Sequence, residues 1–311
     1  MLEHAHPHAP PQSADPSGPE AHASPREQQR RLALVLVLTL GVAVLEAAGG
    51  AASGSLALLA DAGHMVTDGS AVALSLAAVW LVRRRTSPAR TYGFRRAEIL
   101  AAFLNALALV VLALWIVSEA VGRLYAPPPV RAGMMFWIAG VGLAVNVAGF
   151  AALYRLAPAN LGIRAALWHI TGDLFGSLAT LAAAVVIHLT GWAPIDAVLS
   201  LAIAGLIGLS GGKILLDSAN LLLDSVPKQI DGAAVGRFLE SFPEVRQICD
   251  LHIWGISSRE TMLTAHLVVD PACDRDELLR RILDALAGRF RLAHMTLQLE
   301  TTPQSTCRPE W

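Results

Sequence analysis

Residues 56–82 read LALLADAGHMVTDGSAVALSLAAVWLV, an apolar run interrupted by two aspartates and one histidine. A helix of about 20 residues spans the hydrocarbon core of a bilayer, so this run is long enough to cross one. Each ionisable side chain at that depth costs about 2.5–3.5 kcal/mol on insertion scales and is rarely kept without a partner or a water path. The polar residues of this segment are therefore the first candidates for function.

The composition of the whole chain indicates a membrane protein, because 54% of its 311 residues are hydrophobic and only 16% are charged. Six apolar segments have about the length of a membrane span. They lie at 32–52, 56–82, 98–120, 133–154, 162–190 and 193–215. The net charge of −1 gives no reason to expect nucleic-acid binding, so the bilayer is the expected partner.

Arginine placement predicts the orientation of these six helices. An even number of spans puts both termini on one side of the membrane. Arginines are concentrated before the first span, between the second and third, and around the fourth. They are Arg26, Arg30, Arg31, Arg83, Arg84, Arg85, Arg90, Arg95, Arg96, Arg155 and Arg164, against only Arg123 and Arg131 in the opposite connections. The positive-inside rule then predicts two cytoplasmic termini. Short loops and the absence of eukaryotic targeting signals favour a bacterial inner membrane.

Beyond Lys213 the sequence has the composition of a soluble domain. Its periodicity predicts a helix near 229–241, strands near 245–256 and 261–270, a helix near 274–290 and a strand near 293–300. This αββαβ order predicts a small ferredoxin-like α+β domain. The predicted division is a disordered tail at 1–30, a six-helix transmembrane domain at 31–218, a cytoplasmic domain at 219–302 and a C-terminal tail at 303–311.

The N-terminal tail is rich in Pro, Ser, Ala and His and lacks the pattern of a signal peptide. Three of its histidines, His4, His6 and His8, fit a metal-collecting arm or a solvated tail equally well. His22 is interpreted as solvated.

Two membrane segments share the spacing H-x-x-x-D, with His64 and Asp68 in the second and His169 and Asp173 in the fifth. Residues four apart lie on one face of a helix, about one turn from each other. If the two faces meet, they bring together two imidazoles and two carboxylates, a ligand set for tetrahedral zinc. The alternative is a local His–Asp hydrogen bond that joins helices, but two pairs of identical spacing favour the metal.

The ligand types favour zinc, because imidazole suits zinc, cobalt and nickel, whereas an all-oxygen set would favour magnesium, calcium or manganese. Cadmium and cobalt are further candidates, because the order of affinities alone does not separate them from zinc. Two carboxylates and two neutral imidazoles form a neutral site with zinc. Two carboxylates and two protonated imidazoles are also neutral. Exchange of metal for protons can thus keep a low-dielectric cavity near electroneutral, which is a hypothesis for coupled transport.

Four motifs resemble the cation diffusion facilitator family, and more closely its zinc-transporting branch. They are SGSLALLADAGHMVTD at 53–68, YGFRRAEILAAFLNAL at 92–107, ALWHITGD at 166–173 and DLHIW at 250–254, within a resemblance from about residue 30 to 300. The resemblance implies a homodimeric metal/proton antiporter with alternating access and a cytoplasmic metallochaperone-like domain. It also implies that His64, Asp68, His169 and Asp173 form the transport site.

A second metal site is predicted in the cytoplasmic domain. The candidate ligands are His252, His266, His294 and Glu300, on three predicted strands. His294 and Glu300 are an even number of residues apart and share a face of their strand. The resemblance implies a regulatory zinc at such positions near the domain interface. Surface histidines without a ligand role are the alternative.

The sequence thus predicts a zinc exporter driven by the proton gradient, with no covalent chemistry and no enzymatic activity. The alternative is a membrane zinc sensor or structural metal protein that binds without transport. A catalytic zinc would normally keep three protein ligands and a water, which four candidate ligands disfavour.

Other polar residues in the spans are interpreted as interhelical contacts, with access for ions or protons as a further possibility for Asp61. They are Glu46, Asp61, Asn105, Glu119, Asn146, His188 and Asp196.

Overall fold

The computed structural model describes residues 25–82, 87–154, 161–257, 260–290 and 292–303. The N-terminal histidines lie outside these residues. Six long helices come first: α1 (Pro25–Ser53), α2 (Leu56–Val82), α3 (Ala97–Tyr125), α4 (Ala132–Tyr154), α5 (Leu161–Thr190) and α6 (Pro194–Leu222). The domain that follows contains α7 (Gly232–Glu240), β1 (Val245–Gly255), β2 (Thr261–Val269), α8 (Arg275–Phe290) and β3 (His294–Glu300). The predicted order of six helices and an αββαβ domain is confirmed.

Within the described residues, five of the long helices are apolar enough over a sufficient length to cross a membrane. The sixth, α2, carries Asp61, His64 and Asp68 within an otherwise apolar sequence. It nevertheless occupies the middle of the bundle, where it packs against α1, α3, α5 and α6. The polar residues of α2 are therefore surrounded by other helices.

Small side chains bring the helices together around α2. One buried cluster joins Ala57 of α2 to Ala139 of α4 and Ala183 of α5. Another joins Ala60 of α2 to Ala120 of α3 and Ala204 of α6. Alanine allows helix axes to approach closely, which is how helices associate where lipid removes the usual hydrophobic drive. Many large apolar side chains lie on the outside, including Leu114, Trp137, Leu206 and Leu209.

Several helices are longer than the sequence predicted. The first begins at Pro25, where proline suits the first helical turn, and the third continues to Tyr125. The sixth continues past Lys213 to Leu222, because KILLDSANLL keeps apolar residues at helical spacing. The turn between α1 and α2 uses Gly54, whose φ of 77° is readily adopted only by glycine.

The cytoplasmic domain consists of a three-stranded sheet and the helices α7 and α8. Residues of the sheet and of both helices form a single hydrophobic core. The strand order is β1-β2-β3, with β1 and β2 antiparallel and β2 and β3 parallel. Leu267 of the central strand, Leu239 of α7 and Ile282 of α8 are all fully buried in this core. Asp274 caps α8 by accepting from the backbone N–H groups of Asp276 and Glu277, each at 3.1 Å.

Ion pairs connect this domain to the membrane helices. Arg95, just before α3, pairs with Glu260 before β2, and Arg96 pairs with Asp224 after α6. Lys228 pairs with Asp217 of α6. The pair of Arg95 links the segment before α3 to the soluble domain, and the pair of Lys228 links α6 to the segment before α7.

We expect Ile282→Ala to destabilise the cytoplasmic domain by about 2–5 kcal/mol, because truncating a fully buried side chain loses burial and leaves a cavity. Urea unfolding of a fragment of residues 227–302, followed by the fluorescence of Trp254, measures the change. The matched control on the same helix is Arg280→Ala, which removes an exposed side chain and is expected to cost less than about 1 kcal/mol. Equal effects of the two substitutions would contradict the assigned core.

Candidate functional site

The two H-x-x-x-D motifs meet inside the membrane domain. On α2, His64 Nε2 lies 3.4 Å from Asp68 Oδ2. On α5, His169 Nε2 lies 3.7 Å from Asp173 Oδ2. The helices are joined by Asp68, whose Oδ2 is also 3.2 Å from His169 Nε2. The structure therefore brings His64, Asp68 and His169 into one group, and Asp173 adjoins this group through His169.

Three of the separations are close to those of a tetrahedral zinc site. Zinc binds imidazole nitrogen and carboxylate oxygen at about 2.0–2.2 Å, so neighbouring ligand atoms of a tetrahedral site lie about 3.3–3.6 Å apart. The three separations within this cluster are 3.2, 3.4 and 3.7 Å. Ligand atoms of His64, Asp68 and His169 all lie within 4.8 Å of one another. These three residues could share one divalent ion, whereas Asp173 would complete a tetrahedral set only if the side chains moved closer together.

The four side chains differ in their exposure. His64, Asp68 and His169 are 30%, 28% and 42% exposed, whereas Asp173 is only 3% exposed. The cluster is therefore accessible on one side, and Asp173 closes it on the other. Within the described residues, Oδ2 of Asp68 and of Asp173 have no hydrogen-bond donor. These oxygens keep lone pairs for a cation.

Asp196 of α6 holds the start of the helix that carries His64 and Asp68. Its carboxylate accepts from the Ser55 hydroxyl at 2.6 Å and from the backbone N–H groups of Leu56 and Ala57 at 2.7 and 3.3 Å. The first N–H groups of a helix have no partner within the helix, so an acid from another helix acts here as the cap. Asp196 is itself 2% exposed.

Arg123 of α3 completes this junction. Its guanidinium donates to the Gly54 carbonyl at 2.6 Å and to Glu119 at 2.9 Å, and it lies 4.0 Å from Asp196. The sequence marked Asp196 and Glu119 only as interhelical contacts. The sequence features that could have indicated this cap are the acid in the first turn of α6 and the helix break at Gly54 and Ser55.

The cytoplasmic candidates are brought together only in part. His266 Nδ1 lies 3.4 Å from Glu300 Oε1 and 3.8 Å from Asp250 Oδ2. The sequence did not select Asp250, which lies at a bulge in β1 with φ of 48°. Aspartate is one of the few residues that tolerate a positive φ. Its presence in the middle of a predicted strand could therefore have indicated the bulge.

His252 and His294 lie elsewhere on the same sheet. His252 pairs in register with Thr264, and His294 pairs with Met262, whereas Glu300 pairs with Val268. His294 and Glu300 are at opposite ends of β3, about 20 Å apart at 3.3 Å per residue. One ion within a single protomer cannot contact both.

Comparisons with known proteins agree with this architecture. Residues 32–223 match the cation efflux transmembrane domain, and residues 227–302 match the cytoplasmic, dimerisation domain of cation efflux proteins. The chain is 41% identical over 285 residues to the zinc transporter ZitB of Escherichia coli K12, covering 91% of each chain. It is 38% identical over 285 residues to the metal cation efflux system protein CzcD of Cupriavidus metallidurans, covering 91% of this chain and 90% of the relative.

A third relative is the cadmium, cobalt and zinc/H(+)-K(+) antiporter of Bacillus subtilis, 35% identical over 275 residues, which cover 87% of this chain and 88% of that one. The chain belongs to the cation efflux family, as its motifs indicated. It is a transporter of metal cations and not an enzyme.

We expect Asp196→Ala to lower the thermal stability of the purified protein and to weaken Zn²⁺ binding at least about threefold, because three donors at the start of α2 lose their acceptor. Asp196→Asn keeps one acceptor oxygen and should restore part of both properties. Thermal unfolding and zinc titration of the detergent-solubilised protein measure the two effects. If Asp196→Ala loses stability but retains the full zinc affinity, the cap does not position the site.

Proposed function

We propose that this protein exports Zn²⁺ from the bacterial cytoplasm across the inner membrane in exchange for protons. The transport site is formed by His64, Asp68, His169 and Asp173. The observation that supports it best is the position of Asp68 Oδ2, 3.4 and 3.2 Å from imidazole nitrogens on two different helices. Two nitrogen and two carboxylate ligands favour zinc over the hard cations magnesium and calcium.

Relatives support both the substrate and the counter-ion. ZitB of Escherichia coli is named a zinc transporter, and the relative from Bacillus subtilis is named an antiporter of cadmium, cobalt and zinc with H(+) and K(+). Proton exchange also follows from the charges. Zinc with two carboxylates and two neutral imidazoles is neutral, and two imidazolium groups replace that charge when the metal leaves.

The proposed topology places both termini in the cytoplasm, with 31–218 as the transmembrane domain and 219–302 as the cytoplasmic domain between tails at 1–30 and 303–311. The family of the second domain and the even number of helices support this orientation, as does the excess of arginine on one side. In this topology the exposed side of the cluster faces the cytoplasm, because α5 runs from the cytoplasm to the far side and the exposed His169 precedes the buried Asp173.

The functional unit is proposed to be a homodimer, which the dimerisation domain supports. A regulatory zinc site in each cytoplasmic domain is proposed at His266 and Glu300, with Asp250 as a further ligand. His252 and His294 keep a role in such a site only if another protomer supplies the remaining ligands.

Zinc flux tests the transport site. Purified protein in sealed liposomes that contain a zinc-sensitive dye should take up Zn²⁺ after a pH step. Asp68→Ala and Asp173→Ala should reduce this uptake to the level of protein-free liposomes, because a ligand and a compensating charge are lost together. The same assay with Cd²⁺ and Co²⁺ ranks the substrates.

The matched pair for this assay is on α5. His169→Ala should abolish uptake, whereas His188→Ala, which removes an exposed histidine of the same helix, should leave it unchanged. Zinc binding at the four residues without any flux would favour a membrane sensor over a transporter. Unchanged flux in Asp68→Ala would remove the proposed site.

The cytoplasmic site is tested by counting zinc. In an Asp68→Ala background, which lacks the membrane site, His266→Ala should remove the remaining high-affinity zinc equivalent because His266 contacts both candidate carboxylates. His294→Ala is the control from the same sheet. A loss of zinc in His294→Ala that equals the loss in His266→Ala would indicate a different ligand set, shared between protomers.

A further inference from the structure

A second polar cluster lies inside the membrane domain beside the metal ligands. It consists of Glu46 of α1, Asp61 of α2, Asn146 of α4 and Ser177 of α5, which are 0%, 4%, 3% and 0% exposed. In the described part of the chain, neither carboxylate oxygen of Glu46 has a hydrogen-bond partner, nor has Oδ2 of Asp61. Asn146 donates to the Ser177 hydroxyl at 3.3 Å. We call this set the inner acid cluster.

Two glycines make room for the carboxylates. A Cβ added to Gly142 of α4 would stand 2.6 Å from Glu46 Oε1 and 3.6 Å from Ser177 Oγ. A Cβ added to Gly176 of α5 would stand 3.5 Å from Asp61 Oδ1. A side chain at Gly142 would therefore press on the Glu46 carboxylate, whereas a methyl group at Gly176 would only touch the Asp61 carboxylate at van der Waals distance.

The inner acid cluster adjoins the metal ligands through Asp173. Asp61 lies one turn before His64 on α2, and Ser177 lies one turn after Asp173 on α5. The charges of Asp61 and Asp173 both act on Glu46, and the charge of Asp173 acts on Asp61. In the proposed topology, Asp61 is nearer the far side of the membrane than His64. The cluster thus lies between the metal ligands and the compartment that supplies protons.

The charges around this cluster leave it short of positive partners. Asp173 interacts electrostatically with the imidazoles of His64 and His169 and with the carboxylate of Asp68. Helix α4 contributes Asn146, and its one titratable residue is Tyr154 at its last position. Several carboxylates in a low-dielectric interior cannot all stay charged without a cation. Glu46 and Asp61 therefore need a compensating positive charge, either a proton or a metal ion.

We propose that Glu46 and Asp61 form a proton-binding pair that is separate from the metal ligands and contributes to the counter-ion count. The pair holds protons while the transport site is without metal. When Zn²⁺ binds beside Asp173, its charge favours the ionised carboxylates, and protons leave to water. This inference rests on the zinc/proton exchange proposed above. Glu46 is on a helix that supplies no metal ligand, so its protonation does not compete directly for a coordination position.

A proton fits this cluster better than a second metal ion. Calcium takes six to eight oxygen ligands, and magnesium requires octahedral coordination that usually retains water. The inner acid cluster offers four side chains that are nearly inaccessible to solvent. It also lacks an imidazole or thiolate, the ligands that favour zinc.

Proton release during zinc binding tests the proposal. The full-length protein, purified in detergent, is titrated with ZnCl₂ in a calorimeter at one pH in buffers with different heats of ionisation. The buffer dependence gives the number of protons released per zinc. Glu46→Gln and Asp61→Asn should each lower that number by up to about one, with the number of zinc ions bound unchanged. Gly142→Ala, which displaces the Glu46 carboxylate without removing it, should change proton release in the same direction.

Asp217→Asn is the control, because Asp217 is an exposed carboxylate of α6 paired with Lys228. It should release as many protons as the unchanged protein. Equal proton release in Glu46→Gln and the unchanged protein, with zinc binding intact, would overturn the proposal. Loss of one zinc equivalent in Glu46→Gln would overturn it in favour of a second metal site. Failure of the unchanged protein to bind zinc at all would instead reject the transport site.

Discussion

The cost of placing charge in a low-dielectric interior is the constraint on which this structure depends. Asp68 lies between two imidazoles from different helices, at 3.4 and 3.2 Å, and this contact joins α2 to α5. A cation, either a metal ion or protons, is needed to balance the carboxylates at this junction. The same requirement that makes the site costly to bury makes it able to exchange one cation for another.

The rest of the bundle serves to place these two helices. Alanine-rich contacts let α2 pack against α3, α5 and α6, and many large apolar side chains lie on the outer faces. Asp196 caps α2 from another helix, so the start of α2 is fixed by a carboxylate 2.6–3.3 Å from three donors. Because His64 and Asp68 follow within four turns of that cap, their height in the membrane depends on it.

The cytoplasmic domain is connected to the membrane helices by charged pairs around Arg95 and Arg96. These pairs lie next to the start of α3, which packs against both α2 and α6. Both domains are parts that the cation efflux family shares, and these ion pairs are contacts between them.

Apolar length and i,i+4 spacing are local properties, so the sequence alone determined the six helices, the αββαβ domain and the pairing of His64 with Asp68 and of His169 with Asp173. Only the tertiary structure decided which faces meet. It brought α2 and α5 together, separated His294 from Glu300 along β3, and added Asp250 through a bulge. It also revealed Asp196 as a cap and Glu46 beside Asp61. These outcomes depend on contacts between residues up to about 140 positions apart, which no local pattern encodes.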